Sequence, residues 1–239
     1  MDLHQFRHSA FCEKVRLVLA AKGLEANLLE VTPGLGQIEL FRLSGQRQVP
    51  VLVDGGEVIA DSTAIALHLE TRHPLPALLP ADARSRARVL LLEDWADTAL
   101  ASGARQALLQ AAVADPVLRT ALLPEATPDP LRRVVAALPA GLMAPVSEAV
   151  GEVLAPCEAR QLRRNLEQLA VLVADQPYLD GDRLSLADLA VVAQLSLLQF
   201  PASAGAPLAG RGVEGLADHP LLAPLFSWRD RILAEVGRA

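Results

Sequence analysis

Three short stretches carry side chains that could do chemistry. The first is Ser9-Ala10-Phe11-Cys12, a hydroxyl and a thiol placed just before a helical pattern. The second is Gln48-Val49-Pro50, and the third is Asp61-Ser62, which precedes Ala64-Ile65-Ala66-Leu67-His68-Leu69. A group near a helix N-terminus meets the positive end of the aligned peptide dipoles, which favours an anion such as a thiolate. Asp61 is placed to cap the helix that follows, and a helix start also offers free N–H groups to a bound anion. Between the second and third stretches, Val51-Leu52-Val53 and Val58-Ile59-Ala60 flank Gly55-Gly56, the pattern of a tight hairpin. Proline cannot donate to a sheet ladder, so Pro50 belongs at the first residue of its strand or on an edge. A ligand is expected between the free backbone groups at one end of this hairpin unit and the helix start at the other.

Each candidate also has a purely structural reading. Ser9 can serve as an N-cap for the first helix. Cys12 shares a helical stripe with Val15 and Leu19, which suits a buried, inert thiol. Asp61 and Ser62 can form a cap and nothing more. His8, His68 and His73 have no partners at metal-ligand spacing, and Cys12 and Cys157 make neither a disulfide framework nor a metal cluster. No metal site is expected.

The elements that would position these residues follow from periodicity. Asp2 to Phe6 reads as a short strand, and a helix follows to about Lys22, stopped by Gly23. Asn27 to Val31 reads as a second strand, with Pro33, Gly34 and Gly36 marking a loop and a short helix around Gln37 to Leu43. With the hairpin and its capped helix the order is β-α-β-α-β-β-α, which suggests a small α/β layer with a mixed sheet. The proline-rich stretch from His73 to Pro80 reads as a stiff linker. After it the pattern is helical almost to the end. Val89, Leu92, Ala96, Ala99 and Gly103 form one stripe, small enough for close helix approach, and Leu162, Leu166, Leu169 and Val173 form another. Pro124 to Pro156 reads as an irregular insertion with a helical fragment at Leu131 to Leu138. Ser185 and Asp188 have capping-box spacing, with Leu184 and Leu189 as the hydrophobic staple, and open an apolar helix to about Gln199 that suits the centre of a second domain. Leu222 to Val236 reads as a terminal helix.

Composition bounds the function. A chain of 239 residues has room for two domains. The net charge of -6, without a basic stripe, argues against a nucleic-acid partner. No apolar run reaches the roughly 18 residues of a membrane span, and the start lacks the flank of a signal peptide, so a soluble, reducing, cytoplasmic setting is expected.

These features together resemble the glutathione transferase superfamily. Ser9-Ala10-Phe11-Cys12-Glu13-Lys14-Val15-Arg16 is similar to the family segment in which Ser or Cys, usually followed by Pro, leads into Lys/Arg-Val-Arg; here Ala10 takes the proline position. Gln48-Val49-Pro50-Val51-Leu52 resembles its strand-opening Val-Pro, where the peptide bond is cis. Asp61-Ser62 before Ala64-Ile65 resembles its Glu/Asp-Ser-x-Ala-Ile element, and Ser185 to Asp188 matches its buried capping box. The resemblance covers nearly the whole chain apart from the insertion after Pro124. It implies a thioredoxin-like domain with a mixed four-stranded sheet over residues 1–75, a linker at 76–82, and an all-helical domain over 83–239 lining a second-substrate pocket.

The resemblance also implies roles. Val49 would pair its backbone with the cysteinyl part of glutathione, as an added strand does. Pro50 would hold the cis bond, and Gln48 would approach the glycyl end, with Arg47 or Lys14 as alternatives for its carboxylate. Ser62 would receive the γ-glutamyl carboxylate and Asp61 the ammonium. Ser9 would donate to the sulfur and favour the thiolate, while Cys12 offers a mixed disulfide with glutathione instead. The implied enzyme uses glutathione as co-substrate, transferring it to, or using it to reduce, a small apolar electrophile, and forms a homodimer. Two alternatives stay open: a non-catalytic carrier or protein-interaction module on the same fold, and a glutathione-dependent thiol-disulfide reductase using Cys12.

Overall fold

The computed structural model describes residues 1–32, 35–124, 127–138 and 156–237. The chain opens with β1 (Asp2–Gln5), α1 (Ala10–Ala21), β2 (Asn27–Glu30), α2 (Leu35–Ser44), β3 (Val51–Asp54), β4 (Glu57–Ala60) and α3 (Ser62–Arg72). The strands form one four-stranded sheet in the order β2-β1-β3-β4. β1 runs parallel to β2 and antiparallel to β3, and β3 pairs antiparallel with β4. This is the mixed sheet expected from the strand-helix-strand start and the Gly55-Gly56 hairpin. Leu3, Val51 and Leu52 are buried in the sheet's core, whereas the edge strand β2 is exposed at every residue. The register pairs Val51 with Ala60. It therefore brings the residues just before β3 and just after β4, Val49 and Asp61, to the same end of the sheet.

The second half is helical: α4 (Ala83–Trp95), a π-helical turn (Ala96–Leu100), α5 (Ala101–Ala114), α6 (Pro116–Ala121), α7 (Asp129–Ala137), α8 (Pro156–Leu172), α9 (Leu186–Leu198) and α10 (Ala223–Val236). The helical fragment expected at Leu131 to Leu138 is α7; most of the expected insertion around it lies outside the described residues. Of the first expected stripe Val89 and Ala96 are buried, but Ala99 is exposed, because the π-helical turn at Ala96–Leu100 shifts the period so that Leu100 and Ala104 face the core; the second stripe packs as its spacing dictates. Leu162, Leu166, Leu169 and Val173 are buried, and a Cβ on Gly103 would lie 3.0 Å from Leu162 Cδ1. Glycine there lets α5 and α8 approach closely. The linker is tied down: the Lys22 ammonium donates to the carbonyls of His73 (2.7 Å) and Pro76 (3.0 Å), and Leu186 N–H donates to Leu78 O at 2.9 Å.

α9 is the centre of the helical half. Every residue except Leu197 is buried, and the helix packs on α1, α4, α5 and α10. Its start is fixed by the capping box. The Asp188 carboxylate accepts from Ser185 N–H (2.8 Å), Ser185 O–H (2.6 Å) and Leu179 N–H (2.7 Å). Asp188→Ala would leave these buried donors without an acceptor, at a cost of about 2–4 kcal/mol. Urea unfolding is expected to show that loss with an unchanged m-value.

Candidate functional site

Ser9 is the N-cap of α1. Its backbone is extended (φ -86°, ψ 122°), its N–H donates to Phe6 O at 3.0 Å, and its Oγ accepts from Cys12 N–H at 3.4 Å. The capping bond uses an oxygen lone pair and leaves the hydroxyl proton free to donate. Cys12 is turned the other way. It is fully buried, and its sulfur accepts from Phe6 N–H at 3.4 Å. Burial pushes its thiol above the ordinary value, against smaller lowering effects from the Phe6 and Ser9 contacts. A raised pKa keeps the neutral thiol at neutral pH and lowers its nucleophilicity. Cys157, at the start of α8, is exposed. Iodoacetamide at pH 8 is therefore expected to label Cys157 in the native protein and Cys12 only after denaturation, as read by peptide mass spectrometry.

A cavity of about 520 Å³ lies between the two halves of the molecule. Ser9, Gln48 and Val49 line one side of it, and α5 and α9 contribute Ala101, Arg105, Leu108, Gln194 and Leu197. Val49 stands just before β3 and is joined to Pro50 by a cis peptide bond. Neither backbone polar group of Val49 bonds to a described residue. The cavity thus presents an unpaired peptide edge beside a hydroxyl with a free proton. Ser9 also borders a second cavity of about 640 Å³, against Arg16, Phe200 and Val236, to which Gln48 and Val49 do not contribute.

Asp61 and Ser62 form the start of α3. The Asp61 carboxylate accepts from Thr63 N–H (2.9 Å) and Ala64 N–H (3.0 Å), a capping arrangement that leaves the Ser62 N–H without a partner among the described residues. Asp61 has φ 81°, a region that costs a non-glycine residue of order 1–3 kcal/mol and recurs at ligand clamps. Ser62 is buried, and its hydroxyl donates to Asp97 Oδ2 at 3.4 Å. Neither residue lines the 520 Å³ cavity; the β3–β4 register places them at the same end of the sheet as Val49.

Behind Ser62 lies an ionic network that periodicity does not reveal. Lys14 is fully buried and donates to Glu93 Oε1 at 2.6 Å, to Thr63 Oγ1 at 3.1 Å and to Asp97. Thr63 O–H donates to Glu93 Oε1 at 2.6 Å. Lys14 is therefore committed inside the protein and is not available to a carboxylate in the cavity, whereas Arg47 lines that cavity. Asp97 sits on the π-helical turn, and such turns recur at functional sites. Burial pushes its carboxyl up, against the Lys14 charge that lowers it. Its Oδ1 is buried without a hydrogen-bond partner among the described residues.

Comparison with known proteins agrees with this architecture. Residues 3–77 match the family described as glutathione S-transferase, N-terminal domain, and residues 128–233 match glutathione S-transferase, C-terminal domain. The chain belongs to the glutathione S-transferase superfamily. Its sheet-bearing half is the thioredoxin-like domain of that family, and its second half is the helical domain. Glutathione S-transferase theta-3 of Mus musculus is 28% identical over 243 residues, covering 100% of this chain and 84% of that protein. Maleylpyruvate isomerase of Ralstonia sp is 39% identical over 97 residues, covering 38% of this chain and 45% of that protein, so the match spans less than half of the relative. A crystal structure of a glutathione S-transferase from Rhodospirillum rubrum superposes with a TM-score of 0.63 at 25% identity, covering 100% of this chain and 88% of that one. Among the described residues no helix is long and apolar enough to cross a membrane, and no group of His, Cys, Asp and Glu is arranged to hold a metal ion.

Proposed function

We propose that the protein is a glutathione-dependent transferase of the serine type. The observation that carries this reading is the pairing, in one cavity, of the unpaired Val49 backbone with the Ser9 hydroxyl. A peptide cysteine adds to such an edge through two main-chain hydrogen bonds, as in strand addition. Its sulfur then reaches the Ser9 O–H, which donates to the thiolate and favours the reactive form. Gln48, on the same wall, suits the glycyl end. The free Ser62 N–H at the α3 start suits the γ-glutamyl carboxylate, and Asp61 suits the ammonium. Pro50 sets the backbone that presents Val49.

The sulfur, held at the base of a cavity shared with the helical domain, attacks a small electrophile bound there. Cys12 supplies packing under Ser9 and takes no part in the chemistry. Leu91 on α4, 71% exposed, and Val58 on β4, 40% exposed, offer apolar surface for a homodimer. Titration calorimetry with glutathione is the test: saturable binding below millimolar concentration is expected, and no heat of binding at 10 mM would sink the proposal.

A further inference from the structure

Few groups around the 520 Å³ cavity can exchange a proton. Among the described residues that line it there is no Asp, Glu, Cys, Lys or Tyr; the ionisable side chains are His8, Arg47 and Arg105. An arginine stays charged, and a serine hydroxyl donates to a thiolate without absorbing the proton that the thiol gives up. Imidazole is the group in that set that changes protonation near neutral pH. His8 immediately precedes Ser9, and both residues also line the 640 Å³ cavity. The ring therefore stands in the partition between the two cavities. It is half-buried and set edge-on to two aromatic rings, Phe6 (centroids 5.8 Å apart, 82° between planes) and Phe200 (6.4 Å, 89°). Such edge contacts hold its plane. His8 has further contacts; imidazole carries two nitrogens, so one can be held while the other takes up a proton.

We propose that His8 is the base that takes the proton of the glutathione thiol and passes it out through the second cavity. The proposal rests on the glutathione reading of the first cavity. The S–H bond breaks, its electron pair stays on sulfur, and the proton binds a ring nitrogen of His8 to give imidazolium. The Ser9 O–H donates to the thiolate so formed. Solvent in the second cavity then removes the proton and returns the ring to its neutral form. A separate exit is useful because glutathione and an electrophile together exclude water from the first cavity. The second cavity reaches the surface at the exposed Glu30 and Ser203. The charged groups on the two sides differ. Arg47 and Arg105 line the first cavity; Arg7, Glu13, Arg16 and Glu30 line the second. There Glu13 pairs with Arg16, and the Glu30 carboxylate accepts from Arg7 N–H at 2.9 Å. The carboxylates all lie on the second side, which favours a proton leaving in that direction.

Stopped-flow mixing of the protein with glutathione, read by the ultraviolet absorbance of the thiolate, tests this without any electrophile. His8→Gln is expected to form the thiolate at neutral pH about 100-fold more slowly than the native protein, the usual contribution of a positioned base. The midpoint of the thiolate signal should also rise by about one pH unit in His8→Gln, because an imidazolium beside the sulfur favours the anion. His8→Ala should be equally slow. Imidazole added to the buffer should restore its rate in proportion to the neutral form of the additive, a response that a merely structural role would not give. Calorimetry in parallel should show that both variants still bind glutathione. Absence of binding to the native protein would overturn the glutathione reading. With binding intact, a native rate and midpoint in His8→Gln, no thiolate signal in the native protein, or a slow His8→Ala that imidazole leaves slow would each overturn the role of His8.

Discussion

Ser9→Ala is expected to lower kcat/KM for conjugation of glutathione to a reactive electrophile by about 100-fold. The magnitude follows from removing one preorganised donor to a reacting anion. Ser9 is well suited to that task because its oxygen is already held: Cys12 N–H donates to it at 3.4 Å, and its own N–H is anchored on Phe6 O. The remaining proton points at whatever the cavity holds. The same substitution removes an N-cap, which costs about 1 kcal/mol, and that loss alone does not account for the rate. Two readouts separate the effects. Ser9→Thr keeps a hydroxyl and should retain most of the activity. In Ser9→Ala the bound thiol should titrate at higher pH, so the deficit should narrow as pH rises. A variant with normal kcat/KM would remove Ser9 from the chemistry.

Lys14→Met is expected to be the most destabilising of the substitutions considered, by about 3–5 kcal/mol. Removing one member of a buried ion group leaves charges that neither water nor a partner compensates. Lys14 is fully buried and serves two carboxylates, Glu93 and Asp97, with Thr63 joined to the same cluster. Without the ammonium the Asp97 carboxyl, already pushed up by burial, should bind a proton more readily. The direction follows from linkage: a carboxyl raised further in the folded state contributes stability that is lost as pH rises. The deficit of Lys14→Met should therefore shrink toward acid and grow toward neutrality in urea titrations. A triple variant, Lys14→Met with Glu93→Gln and Asp97→Asn, should recover much of the loss. Because the Ser62 hydroxyl donates to Asp97, Lys14→Met should also weaken glutathione binding, which a purely remote packing defect would leave alone.

Local rules made part of this molecule legible in the sequence. The Gly55-Gly56 hairpin, the Asp61 cap, the leucine stripe of α8 and the Ser185–Asp188 box each depend on neighbours within a few residues, so spacing suffices. The placement of Ser9 at the head of α1 and of Cys12 beneath it followed from the same helical period. What escaped is long-range or breaks a period. Lys14 meets partners 79 and 83 positions away, and nothing around Lys14-Val15-Arg16 distinguishes a buried ammonium from a solvated one. The π turn that aims Asp97 inward inserts an irregularity into what reads as continuous helix. Gln194 was hidden by its surroundings: a helix apolar on nearly every side reads as core, and one amide within it gives no periodic signal. Its isolation among aliphatic neighbours was the available clue.

A crystal structure of the protein with glutathione would show whether one cavity holds the peptide on the Val49 edge with its sulfur at Ser9. The cysteinyl N–H and C=O are expected to pair with the Val49 backbone, with the γ-glutamyl carboxylate at the Ser62 N–H and the sulfur within about 3.5 Å of Ser9 Oγ. Glutathione seated with its sulfur away from Ser9, or lodged in the cavity against Arg16 and Phe200, would contradict it.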